Sequence, residues 1–173
     1  MNRLKTYARE PRLWLVVQAV ALSWGNFVGW STIYRDVQVY CLNEAKGLDA
    51  LLSFSGSVTT NPLLSPCFWG TLSFTACLLW TLRLLLMKDT QKRAREHKHL
   101  LTLLMASTAF AAVNNVPLFY RFYTTPRGTA ASCSVGKLMT NPFATSCFYG
   151  FSAFLLATLS GLGLQKYAVT SKK

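Results

Sequence analysis

Acidic side chains are scarce in this sequence of 173 residues. Six Asp and Glu stand against eighteen Lys and Arg, and charged residues of either sign make up only 14% of the chain. An average soluble domain has about 25%. Hydrophobic residues make up 51% of the chain and aromatic residues 13%. So little charge beside so much apolar surface excludes a disordered chain and argues against an ordinary soluble enzyme.

Charge is absent altogether from four stretches of 21 to 24 residues, which cover residues 13–34, 62–82, 100–120 and 142–165. At about 1.5 Å per residue, an α-helix of this length spans a hydrocarbon core of about 30 Å. We therefore predict an all-α membrane protein in which residues 1–173 form a single membrane domain. Its four transmembrane helices would have the lipid bilayer as their first partner.

The positive charges lie between these stretches and are unevenly distributed. Thirteen of the eighteen Lys and Arg fall before the first stretch, in the connection 83–99 and after the last stretch. The positive-inside rule then predicts a multi-pass protein with cytoplasmic N and C termini and a cytoplasmic basic loop at 83–99. The two cysteine-bearing loops would lie on the outer side, periplasmic, extracellular or luminal. Topology thus accounts for the net charge of +12, and we expect no nucleic-acid partner.

The sequence also repeats itself at an offset of eighty residues. Residues 60–74 read TNPLLSPCFWGTLSF and residues 140–154 read TNPFATSCFYGFSAF, with seven of fifteen positions identical. This predicts a four-helix bundle made of two tandem duplicated helical hairpins, repeat one over 11–87 and repeat two over 97–168. Because each hairpin starts and ends on the same side, a pseudo-twofold axis along the membrane normal should relate them. A central site would then use equivalent positions of both halves.

The repeated motif predicts local structure at the outer ends of two helices. Asn61 and Asn141 are good N-cap residues, and Pro62 and Pro142 suit the first helical position. A strong cap is expected there because unpaired N–H groups are costly in a membrane.

Small side chains share one face of the second and fourth stretches. Such residues allow helices to approach closely where lipid offers no hydrophobic driving force. We therefore expect the packing interface between the two repeats at Gly70, Ser73, Gly150 and Ala153.

Four of the five cysteines follow the repeat. Cys41 and Cys133 fall in the predicted outer loops, and Cys67 and Cys147 lie six residues past the predicted caps. Disulfides persist outside the cytoplasm, so we expect bridges Cys41–Cys67 and Cys133–Cys147 that staple each loop to its helix. The two cross-repeat pairings, Cys41–Cys133 with Cys67–Cys147 and Cys41–Cys147 with Cys67–Cys133, remain open. Packing thiols and redox-active thiols are the alternatives to structural bridges.

A four-helix membrane bundle with cysteines on its outer side resembles the quinone-linked thiol oxidoreductases of the DsbB and vitamin K epoxide reductase group. The likeness lies in size, topology and the side on which the cysteines lie. The sequence contains no CxxC motif, so no catalytic residue is carried over from that group. The resemblance implies an alternative function, a membrane thiol oxidoreductase that uses the outer cysteines with a quinone as cofactor.

Few other residues in the sequence are candidates for catalysis or for binding a metal or ligand. The only histidines, His97 and His99, are expected in the solvated basic loop, and we predict no metal site. No carboxylate lies within any of the four stretches. Polar residues that could line a ligand or anion site are few, and interhelical hydrogen bonding or snorkelling to the interface is the simpler explanation. These residues are Asn26, Asn114, Asn115, Arg35 and Arg121.

These observations favour a small polytopic membrane protein without an evident catalytic site. We expect it to act as an accessory subunit, or as a small-solute binder or permease at the repeat interface. Its protein partners would be other membrane subunits or a second copy of the chain.

Overall fold

The computed structural model describes residues 11–43, 61–125 and 140–170, and these ranges are helical apart from short turns. The long helices are α1 (Pro11–Asn43), α2 (Pro66–Leu86), α3 (Thr90–Thr124) and α4 (Ser146–Thr170). Short 3₁₀ turns precede two of them, Pro62–Leu64 before α2 and Pro142–Ala144 before α4. All four long helices have the length and apolar composition needed to cross a membrane. The described part of the chain is therefore all-helical, and its four apolar helices suggest a multi-pass membrane protein.

The predicted N-cap residues, Asn61 and Asn141, cap the 3₁₀ turns and not the α-helices. The Asn61 side chain accepts the backbone N–H two residues ahead at 3.0 Å, and Asn141 does the same at 2.9 Å. Pro62 and Pro142 occupy the first position of each turn. Because a 3₁₀ turn is only three residues long here, each α-helix starts one turn later than the prolines indicate.

A second cap, which the sequence analysis did not identify, starts each α-helix. The Ser65 hydroxyl accepts the Phe68 N–H at 3.2 Å, and the Thr145 hydroxyl accepts the Phe148 N–H at 3.3 Å. Both hydroxyls also donate to the carbonyl of the proline three residues earlier. The same hydrogen bonds thus recur eighty residues apart, so the two helix entrances have the same local structure.

The prediction of a basic loop at 83–99 is wrong, because only residues 87–89 separate α2 from α3. Asp89 accepts the N–H groups of Gln91 and Lys92 at 2.9 and 3.1 Å, which starts α3 immediately. The basic residues therefore lie on helix ends. Arg83 in the last turn of α2 pairs with Glu96 of α3 at 3.3 Å.

Helices α1 and α3 also extend beyond the charge-free stretches that predict them. α1 continues from Tyr34 to Asn43, so Cys41 lies in a helix and not in a loop. α3 runs to Thr124 and passes through Pro117 without ending. Polar residues are acceptable in helical turns outside the bilayer, so the end of an apolar stretch does not mark the end of its helix.

The helices form a ring in the order α2, α1, α4, α3. α1 and α4 share the most extensive interface, whereas α2 and α3 share the smallest interface between neighbours in the ring. Side-chain hydrogen bonds cross all four of these interfaces, the one between α2 and α3 through Arg83 and Glu96. Gln18 donates to Thr81 at 2.9 Å, Thr108 and Thr158 lie 2.8 Å apart, and Thr32 donates to Ser146 at 2.8 Å.

The two ends of the bundle are packed differently. The half nearer the turn at 87–89 holds most of the large, fully buried apolar side chains, among them Leu15, Leu22, Leu84, Leu100 and Leu104. Apolar residues that point away from the bundle, including Val20, Leu79, Val113 and Val116, are more than 60% exposed, and in a membrane they would face lipid. The opposite half of the bundle is less densely filled, and it contains the candidate site.

Candidate functional site

A partly open cavity of about 60 Å³ lies between the four helices in the half of the bundle away from the turn at 87–89. Its walls are mainly apolar. Each helix contributes, and the contributions of α2 and α4 correspond position by position. The α2 residues are Pro66, Cys67, Gly70, Thr71 and Phe74, and the α4 residues, each eighty positions later, are Ser146, Cys147, Gly150, Phe151 and Phe154.

Two of these corresponding pairs touch across the bundle. The sulfur atoms of Cys67 and Cys147 lie 3.3 Å apart, and the rings of Phe74 and Phe154 stack with a centroid distance of 3.6 Å and an interplanar angle of 10°. The two contacts are seven residues apart along each helix, or about 10 Å. All four residues line the cavity, which thus lies beside both contacts.

The α1 wall of the site is tightly packed. A Cβ atom on Gly25 would overlap the Phe74 ring, and one on Gly29 would overlap the Thr71 hydroxyl. These glycines let α2 place a ring and a branched side chain directly against the α1 backbone. Gly70 of α2 differs, because a Cβ there would meet no atom within 4 Å. The free space of the site thus lies beside Gly70.

The residues expected to pack the two repeats together have different surroundings. Ala153 is buried in the core. A Cβ atom built on Gly150 would lie 3.6 Å from the Phe74 ring. Gly70 faces the cavity, and Ser73 is only half-buried, with its hydroxyl donating to the carbonyl of its own helix four residues back. The buried face of α2 is instead rotated by one residue and carries Thr71, Phe74, Cys77, Thr81 and Leu84.

Asn115 is the most distinctive polar group of the wall. It is 7% exposed, and its Nδ2 donates to the Ala111 carbonyl at 2.8 Å and to the Cys147 carbonyl at 3.2 Å. The second bond joins α3 to α4 at the cavity. Its Oδ1 is buried and has no hydrogen-bond partner.

The other members of the expected polar or anion site do not gather here. Asn114 lines the cavity beside Asn115, and its amide donates to the Phe110 carbonyl at 2.8 Å. Asn26 instead accepts a hydrogen bond from Thr75 at 2.8 Å, at the interface of α1 with α2. Arg35 and Arg121 are exposed near the helix ends, outside the cavity wall. The structure thus brings together two of the five residues.

The cysteines are arranged differently from the expected stapled loops. Cys41 and Cys67 are free thiols, so the bridge between them is not formed. Cys67 lies against Cys147 of the other half instead, because both occupy the first turn of their helices next to the bundle axis. Cys77 is a free thiol buried in the core. Cys133, and with it the expected Cys133–Cys147 bridge, lies outside the described residues.

The prediction that His97 lies in a solvated loop is wrong. His97 is 4% exposed because α3 already carries it against the bundle one turn before the apolar stretch begins. Its Nε2 and the Oε1 of Gln18 lie 3.6 and 3.3 Å from a Cβ built on Gly161, and neither atom has a hydrogen-bond partner. Within the described ranges, no group of three His, Cys, Asp or Glu side chains is placed to hold a metal ion.

Sequence reasoning missed the aromatic stack and the α1 glycines as parts of the site. The repeat carried the signal for the stack, since Phe74 and Phe154 are among its seven identities. Comparisons of the chain with protein-family models, with curated proteins and with solved structures give no match.

Proposed function

We propose that this protein binds a small, mainly apolar molecule in the cavity at the interface between its two hairpins. One observation carries the proposal: five corresponding pairs of residues from α2 and α4 enclose the space from both sides. Binding sites for small molecules are concave and mostly apolar, with a few polar groups, and the space between the helices of a bundle is a common place for them. None of the described residues that line the cavity is charged, which favours a non-catalytic role as binder, permease or accessory subunit.

The proposal includes a duplicated architecture. The repeated motif, the recurring caps and the two contacts between equivalent residues support a tandem duplication with a pseudo-twofold axis through the cavity. The distribution of Lys and Arg supports cytoplasmic termini and a cytoplasmic turn at 87–89. The cavity would then lie in the outer half of the membrane, where a molecule could enter from the lipid or from the outer surface.

The volume limits the ligand. An apolar cavity of about 150 Å³ is known to bind benzene, so a space of about 60 Å³ suits a smaller molecule or one end of a longer one. A long molecule would keep its remainder in the opening of the cavity. An isolated charge is a poor fit, since none of the described residues of the cavity wall is charged and could pair with it.

The test uses 1,1,1-trifluoroethane as a small apolar probe and the full chain in lipid nanodiscs. Fluorine saturation-transfer NMR measures its binding to the parent protein and to two variants of α2. Gly70→Leu fills the cavity, whereas Ala76→Leu adds three carbons to a lipid-exposed position of the same helix. We expect binding to the parent and to Ala76→Leu, and loss of it in Gly70→Leu. Equal signals in all three proteins would mean that the probe only partitions into lipid, which contradicts the proposal.

A second candidate function rests on the distance of 3.3 Å between the sulfur atoms of Cys67 and Cys147. We propose thiol–disulfide exchange at this pair as the alternative. A Cys67 thiolate that attacks Cys147 in a disulfide forms the Cys67–Cys147 bond and releases the other sulfur as a thiolate. Net oxidation of a dithiol removes two electrons and two protons, and an electron acceptor such as a quinone would have to take them.

Alkylation under non-reducing conditions tests the alternative. Membranes are equilibrated in glutathione buffers of graded potential, quenched with a thiol reagent, and analysed by peptide mass spectrometry. Exchange predicts a Cys67–Cys147 linked peptide whose amount follows the potential, while the buried Cys77 enters no bridge. Complete alkylation of Cys67 at every potential would exclude this function and leave the binding proposal in place.

A further inference from the structure

The side chain of Asn115 leaves one hydrogen-bond acceptor of the cavity unused. Both N–H bonds of its amide are engaged, one with the Ala111 carbonyl and one with the Cys147 carbonyl. A flipped amide would place Oδ1 against two carbonyl oxygens, so this orientation is fixed by its partners. Oδ1 therefore remains a buried acceptor without a donor. Buried polar atoms nearly always have a partner, and an exception calls for a physical explanation.

The hydroxyl groups nearby do not supply the missing donor. Thr71 donates to the Cys67 carbonyl at 2.7 Å, and no described hydroxyl, that of Ser146 included, lies within hydrogen-bond distance of Asn115 Oδ1. Each hydroxyl has a single hydrogen to donate. Asn115 lines the cavity, so we look for the missing donor in a molecule bound there.

We propose that the ligand of this cavity carries a hydroxyl or N–H group that donates to Asn115 Oδ1, with an apolar body that fills the space beside Gly70. The inference rests on the proposed binding function and narrows its ligand to small alcohols, phenols and amides, or to the hydroxyl end of a longer lipid-like molecule. A plain hydrocarbon leaves Oδ1 without a donor, and a carboxylate or phosphate brings a charge that this wall cannot pair.

The two halves of the cavity are unequal at this point, which gives the ligand one orientation. The Tyr34-Arg35 and Tyr120-Arg121 pairs set an offset of 86 residues between α1 and α3, and Gly29 is then the equivalent of Asn115. Both residues line the cavity. Because Gly29 has no side chain, the first hairpin offers no matching acceptor. The hydroxyl or N–H group of a bound ligand would therefore lie on the α3 side of the cavity.

Two probes that differ by one hydroxyl test the proposal, 2,2,2-trifluoroethanol and 1,1,1-trifluoroethane. Their dissociation constants are measured by fluorine NMR in nanodiscs for the parent chain, for Asn115→Leu and for Thr108→Val. The last variant removes a hydrogen bond between α3 and α4 outside the cavity and so controls for loosened packing. The comparison uses the ratio of the two constants in each protein, so that differences in lipid partitioning cancel.

We expect the ratio to favour trifluoroethanol about fivefold more in the parent and in Thr108→Val than in Asn115→Leu, as one neutral hydrogen bond predicts. An unchanged ratio in Asn115→Leu would overturn the inference while the binding proposal stands. Failure of both probes to bind the parent above the level of Gly70→Leu would instead overturn the binding proposal itself.

Discussion

The glycines around the cavity give a sharp test of how α1 and α2 pack. Gly25 lies against the Phe74 ring, which is held on its other side by the Phe154 stack. Gly70 faces open space on the adjacent helix. We therefore compare Gly25→Ala with Gly70→Ala, two substitutions that add one methyl group to a helix in the same bundle.

The expected difference follows from the packing alone. Replacing Gly by Ala inside a helix stabilises it by about 0.5–1 kcal/mol, and this gain is common to both variants, so it cancels in the difference. Overpacking a filled interface costs about 1–3 kcal/mol, and this penalty applies only at Gly25, where the ring cannot move without losing its stack. Gly25→Ala should therefore be about 1–3 kcal/mol less stable than Gly70→Ala.

Unfolding in mixed detergent micelles, followed by circular dichroism, measures the free energy for each variant. A rescue variant tests the cause: Phe74→Leu combined with Gly25→Ala should lose less stability than the sum of the two single changes, because the smaller side chain makes room for the methyl group. Equal stability of Gly25→Ala and Gly70→Ala would refute this packing. So would strict additivity of the double variant.

Three further predictions follow from other parts of the chain. Asn61→Ala and Asn141→Ala should each lower the free energy of unfolding by about 1 kcal/mol, and a loss at one site alone would show that the two turns are not equivalent. In a cysteine-free background, Gln91→Cys should resist an impermeant thiol reagent added to intact cells while Thr124→Cys reacts, and the reverse pattern would overturn the orientation. Thr108→Val should cost about 0.6 kcal/mol, the average for a hydrogen bond between membrane helices, and a loss above about 2 kcal/mol would contradict that assignment.

The number of helices could be read from the sequence because the absence of charge over about twenty residues is a strong signal for a membrane span. The helix ends could not be read from the sequence, because the helices continue beyond the first charged residue at which the apolar stretches end. The buried positions of α3 include Arg93, His97, Leu100 and Leu104, spaced four, three and four residues apart. That helical spacing starts before the apolar stretch, and following it would have placed His97 inside the bundle.

The repeat indicated the region of the chain that forms the cavity, but not which side chains line it. Equivalence at an offset of eighty points to residues such as Cys67 and Cys147, but it does not say which face of α2 meets the axis. We expected the small residues Gly70 and Ser73 to form the contact surface. The structure buries Phe74 instead, because the space for its ring is supplied by Gly25 on a different helix. Sequence patterns within one helix do not report the shape of its partner.

The ring order of the helices has a consequence for how the protein is made. Helices α2 and α3 follow each other in the chain with three residues between them, yet they share the smallest interface between neighbours, while α1 and α4 share the largest. During synthesis, the main packing surface of α1 stays without its partner until α4, the last helix, is translated and inserted. The Phe74 ring likewise has no stacking partner until α4 is in place. Contacts so distant in sequence form slowly. Because the largest interface joins helices on either side of residues 87–89, severing the chain there should leave two fragments that can still assemble.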